Sequence, residues 1–152
     1  MKLPRRLELA ITKLYKAFHD NKLHPERCTQ CAVGNICDNN DSWQHLTDCH
    51  GSVVLNYVGL INQNFNKKLY GYSPLELLQT EAHFLKGCGY ILPLDGKNKK
   101  PINPRDKAIL FNGLCETIKY LCALDNVPNV MDYTKLFEYE NETPKYKIQS
   151  IY

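Results

Sequence analysis

The chain has 152 residues, long enough to bury a core of its own without disulfide staples. Apolar residues make up 43% of it and charged residues 23%, which sets it apart from disordered chains, and no run reaches the ~18 apolar residues of a membrane span. With 19 Lys and Arg against 16 Asp and Glu, the net charge of +3 is too small to call for nucleic acid or an anionic membrane as partner.

Residues 5–20 put Leu7, Ile11, Leu14 and Phe18 on one face, with Ala10 and Ala17 beside them and Arg6, Lys13, Lys16 and Asp20 turned away. This period predicts an amphipathic helix. The opening residues have a basic start but no continuous apolar region and no small-residue cleavage site, so the expected location is the cytoplasm. Reducing conditions there keep thiols free, and an odd count of seven cysteines points away from a disulfide framework.

The segment that follows, HPERCTQCAVGNICDNNDSWQHLTDCHG over residues 24–51, holds four of the seven cysteines and three of the five histidines. Pro25 followed by Glu26 is a helix-start signal, which would place Cys28 and Cys31 one turn apart on a short helix. A second short helix is expected from Asp41 or Ser42 to His50, ended by Gly51. Thiolates and imidazoles at short spacings suit a zinc or iron–sulfur centre, because close spacing lowers the entropy lost in bringing ligands to one point. Cys28, Cys31, His45 and His50 read as C-x2-C-x13-H-x4-H, inside the window for a structural Cys2His2 zinc site. Cys49 is the alternative fourth ligand, and Cys37 and His24 read as bystanders. An iron–sulfur cluster on Cys28, Cys31, Cys37 and Cys49 is the second cofactor reading, although C-x2-C-x5-C-x11-C reverses the plant-type order. Two further readings treat the C-x-x-C pair as a redox dithiol, or its cysteines as small buried fillers.

Residues 52–62 fit a strand or a buried helix, and helix is the expectation because a lone strand has no partner. Ser73-Pro74-Leu75-Glu76 is a clear helix start, continued by a stripe of Leu75, Leu78, Ala82 and Leu85 up to Gly87-Cys88-Gly89. Residues 93–104 form a loop whose basic run, Lys97 to Lys100, reads as solvated. From Asp106 to Leu124 the chain is apolar around most of its circumference, with Lys107, Glu116 and Lys119 on the wet side, which predicts a central helix. A short helix is expected around Val130 to Glu138. Cys88, Cys115 and Cys122 read as core fillers, His83 as part of a solvated face, and Tyr70-Gly71-Tyr72 as a contact surface.

The runs AITKLYKAFHDNKLHPERCTQCAVGNICDN, LNYVGLINQN, SPLELLQTEAHFLKGCGY and LFNGLCETIKYLCALDNVPNVMDY together resemble a small family from flavobacteria and related bacteria. Its members, of about this length, are often labelled as the component of the Na+-translocating NADH:quinone reductase that carries its flavin/NADH reductase module. The resemblance spans nearly the whole chain and implies an electron-transfer accessory, with an iron–sulfur centre or a redox-active cysteine pair. The residues themselves carry no G-x-G-x-x-G, P-loop, G-x-S-x-G or HExxH motif. The reading that results is one all-α domain over residues 1–152, with a metal-binding segment at 24–51. Its expected role is to bind or regulate an unidentified protein partner through a structural zinc site, without chemistry of its own. Electron transfer is the alternative.

Overall fold

A computed structural model describes residues 3–92, 94 and 100–129. The helix expected around Val130 and most of the basic run before Lys100 lie outside these residues. Five α-helices follow in order: α1 (Arg5–His19), α2 (Ala32–Ile36), α3 (Tyr57–Asn64), α4 (Pro74–Gly87) and α5 (Lys107–Leu124), with a 3-10 turn at Ser42–Leu46 between α2 and α3. No strand occurs among the described residues, only an isolated bridge between Leu69 and Tyr72. The all-α expectation therefore holds for them.

The helix starts are written in side chains. Ser73 Oγ accepts the Glu76 N–H while the Glu76 carboxylate accepts the Ser73 N–H, a complete capping box with Pro74 in the first turn. Asp106 caps α5 through the N–H groups of Ala108 and Ile109. Each such cap satisfies backbone donors that the first turn leaves open, worth about 1 kcal/mol. Asn56 does the same for α3 through Gly59. That cap explains why the helix expected over 52–62 begins only at Tyr57, after a nonhelical approach.

The core gathers on α1, α4 and α5. Leu7, Ala10, Ile11, Leu14 and Ala17 are buried on α1, as its period requires. Leu110, Leu114, Ile118 and Leu121 line the inner face of α5. α4 and α5 pack backbone to backbone, because Gly87 and Gly113 meet where they cross. A Cβ built on Gly87 would lie 2.8 Å from the Gly113 Cα, closer than carbon atoms approach. On α4 three of the four residues of the expected stripe are buried, and the stripe is wider than expected. Leu77 and Phe84 are fully buried with Leu78, Ala82 and Leu85, whereas Leu75, in the first turn, is 37% exposed.

Arg6 ties three helices at one end of this bundle. Its guanidinium donates to Asp125 at 2.6 Å, to Glu76 at 3.2 Å and to the Gly71 carbonyl at 2.7 Å, and it lies 4.5 Å above the Tyr72 ring. Tyr72 is buried beneath it. Of the tyrosine stretch expected on a contact surface, only Tyr70 is exposed.

Candidate metal centre

Residues 24–51 wrap against α4, and three donors from separate parts of the chain meet there. Cys31, His50 and Glu81 each offer one ligand atom, and these atoms lie within 4.8 Å of one another. Cys31 and Glu81 are fully buried and His50 is partly so.

Local structure fixes each donor. Cys31 stands at the N-cap of α2, where its sulfur accepts the Gly34 N–H at 3.3 Å and also reaches the Cys28 carbonyl at 3.6 Å. Gly34 is required for that turn, since a Cβ there would run into the Cys28 carbonyl oxygen and lie 2.6 Å from the Thr29 carbonyl carbon. Glu81 rises from the buried face of α4. One of its oxygens accepts the Val33 N–H at 3.1 Å, and the other meets His50 Nε2 at 2.9 Å. The second ring nitrogen of His50, Nδ1, faces the Cys28 sulfur at 3.9 Å. The imidazole thus stands between a carboxylate and a thiol, with each nitrogen turned to one of them.

Trp43 closes the site. Its indole N–H donates to the Cys28 carbonyl at 3.0 Å, and its ring meets His50 edge to face at 5.7 Å. It is 1% exposed, so it shields the donors from water.

The electrostatics follow from this burial. Burial, then the nearby Glu81 charge, pushes the Cys31 thiol well above its ordinary range, and the same two causes raise Cys28. Burial alone would lower His50, but the Glu81 hydrogen bond and charge outweigh it and hold the imidazole above its ordinary value. In the metal-free protein the surroundings therefore favour the protonated thiols of Cys31 and Cys28 and the protonated ring of His50, relative to the free side chains. A divalent ion would replace those protons, and one thiolate with one carboxylate would balance its charge.

The other residues singled out by the sequence are placed elsewhere. His45 is exposed on the 3-10 turn, where its backbone carbonyl accepts from Asn56 at 2.9 Å. Cys49 is half-buried, its sulfur 3.7 Å from the His50 carbonyl. Cys37 is buried at the C-cap of α2, and burial pushes its thiol up to about 12. His24 accepts the Glu26 N–H at 3.2 Å. Neither of the two short helices expected in the segment forms at its expected bounds: Cys28 and Cys31 lie in and at the end of the turn before α2, and only Ser42–Leu46 of the second winds up, as a 3-10 turn. Among the remaining cysteines, Cys88 and Cys122 are buried as expected and Cys115 is half-buried. His83 is half-buried and stacks on Tyr120 at 4.4 Å.

Spacing rules miss Glu81 because it lies far from the cysteine cluster in sequence. A signal for it exists nonetheless: Leu77, Leu78, Glu81 and Leu85 recur at helical spacing, so a carboxylate occupies a core position. An acid is almost never fully buried without a partner. No family model, curated protein or solved structure matches the chain. Among the described residues, no helix is long and apolar enough to cross a membrane.

Proposed function

We propose that this is a small metal-binding module in which zinc, held by Cys31, His50 and Glu81 with Cys28 beside them, fastens residues 24–51 onto α4. Its role is to present the folded surface to a partner, as a binding or regulatory protein, with no reaction of its own. The observation that carries the reading is the convergence of a sulfur, an imidazole and a carboxylate within 4.8 Å, the first two from residues 24–51 and the third from α4. A cross-link between distant segments is what a structural metal supplies to folding.

The donor chemistry supports zinc. A thiolate and an imidazole favour a borderline-soft ion over magnesium or calcium, and a carboxylate is an accepted zinc ligand. Cys28 faces Nδ1, the ring nitrogen opposite the one at Glu81, so it flanks the site, and a purely structural zinc would take a fourth donor to close its coordination.

The test is elemental analysis and an absorption spectrum of protein purified anaerobically. One equivalent of zinc in a colourless sample, lost in Cys31→Ser, supports the proposal. Iron with visible charge-transfer bands would replace it with the electron-transfer reading. Absence of any metal, with stability indifferent to added zinc, would overturn it.

A further inference from the structure

α3 is seated on the 3-10 turn in one rotational setting. The Asn56 N–H donates to the Leu46 carbonyl at 2.9 Å, and the Asn56 side-chain amide donates to the His45 carbonyl, also at 2.9 Å. Gly59 lies so close to Leu46 that a Cβ there would run into its carbonyl oxygen, and it is the one buried residue of the helix. With Gly59 inward, at about 3.6 residues per turn, Tyr57, Val58, Leu60, Ile61 and the C-cap Phe65 fall within an arc of roughly 160° on the opposite side. All five are exposed, Tyr57 and Phe65 at 77% each. The helix is therefore apolar on its outer face, the reverse of an ordinary surface helix.

We propose that this face joins two copies of the chain, with α3 packed antiparallel against α3 across a two-fold axis. Area is the first argument. At their observed exposures the five side chains offer on the order of 600 Å² per copy, so that two copies reach the ~1,200 Å² at which specific, stable interfaces begin. Single surface hydrophobics are ordinary, but a contiguous patch of this size marks a contact.

Charge selects a second copy as the occupant. Residues 49–66 contain no Asp, Glu, Lys or Arg, so nothing charged interrupts the patch. Asp48 stands at the start of α3, where its carboxylate accepts from the Asn56 amide at 3.2 Å, and Lys67 and Lys68 follow the end of the helix. All three are exposed. Parallel pairing would set lysines against lysines. Antiparallel pairing sets the lysines of each copy toward Asp48 of the other, and the two-fold axis repeats that match at both ends. The face is thus complementary to itself in shape of charge as well as in apolar character.

The association uses none of the metal donors, so its failure would leave the zinc reading untouched. It is tested by sedimentation velocity on the full chain from low to high micromolar concentration. A monomer that becomes a dimer across this range is expected, with a dissociation constant raised at least tenfold in Ile61→Glu/Phe65→Glu and helical circular dichroism unchanged. In parallel, p-benzoylphenylalanine placed at Phe65 should yield on irradiation a covalent dimer, its crosslink mapping to the beginning of α3 in the other copy. A chain that stays monomeric throughout would overturn the proposal, as would a dimer indifferent to Ile61→Glu/Phe65→Glu. A crosslink confined to one chain would overturn it in favour of an intramolecular cover.

Discussion

His50 Nε2 lies 2.9 Å from Glu81 Oε2, although the two residues stand 31 positions apart, one in the cysteine-rich segment and the other on the buried face of α4. The same carboxylate holds the Val33 N–H with its other oxygen. Glu81 thus anchors the segment at two places before any metal is considered, and an ion would find its donors already brought together.

Glu81→Ala should therefore destabilise the metal-free protein. It leaves the Val33 N–H and His50 without their buried acceptor, a loss on the order of 3 kcal/mol. Glu81→Gln should restore part of this, because an amide oxygen still accepts the Val33 N–H. Urea unfolding followed by circular dichroism in a chelating buffer checks both. A change below about 0.5 kcal/mol in the alanine variant, the usual range for surface sites, would contradict the anchoring role.

His50 gives a pH dependence of definite sign. Its folded-state pKa is raised above the ordinary 6.5, through the hydrogen bond and charge of Glu81 acting against burial. Folding therefore favours the protonated ring. Its contribution is complete below the unfolded value and fades as pH rises through the folded one. Urea midpoints of the metal-free protein between about pH 5.5 and 8.5 should show this fall, and His50→Gln should flatten it. Metal affinity should run the other way and rise with pH, because the thiols and the ring must give up protons to bind.

Gly34→Ala should damage the site without touching a ligand. The added methyl collides with the backbone of Cys28 and Thr29, which cannot swing aside as a side chain would. The turn that sets Cys31 and Cys28 must open. A stability loss of about 2 kcal/mol is expected, with at least a tenfold fall in zinc affinity by competition with a chromophoric chelator. An unchanged affinity would show that the turn does not position the donors.

Arg6→Ala should loosen the end of the bundle where α1, the start of α4 and the end of α5 meet. Asp125, with its side chain only 8% exposed, loses its 2.6 Å partner, and the Gly71 carbonyl and Glu76 lose theirs. About 2 kcal/mol is the expected cost, and Arg6→Lys should recover less than half, since one ammonium cannot reproduce the guanidinium fork. Zinc content should be unaffected, which separates this variant from those at the site.

The sequence made the helices legible where their signals were local. The α1 stripe, the Ser73 capping box and the Asp106 cap each rest on a few neighbouring residues. The site was legible only in part, for the same reason. Spacing rules pointed to Cys31 and His50, which the structure brings together, and to His45, which it leaves exposed on a turn. Spacing fixes which ligands can be near, but not which way a short, irregular segment turns them. Glu81 enters through the packing of α4 against α2, a long-range contact with no counterpart in the local pattern. The extent of α3 was obscured because a run of Val, Tyr, Leu and Ile has the composition of a buried element, yet it lies on the surface.

Trp43 is the only tryptophan in the chain, and it touches both Cys28 and His50. The protein therefore carries its own optical gauge. A protonated imidazole in contact with an indole quenches its emission more than a neutral, metal-bound one does. Intrinsic fluorescence excited at the indole band should brighten as zinc fills the site and dim as acid empties it. The state of the site becomes readable in dilute solution with no added dye.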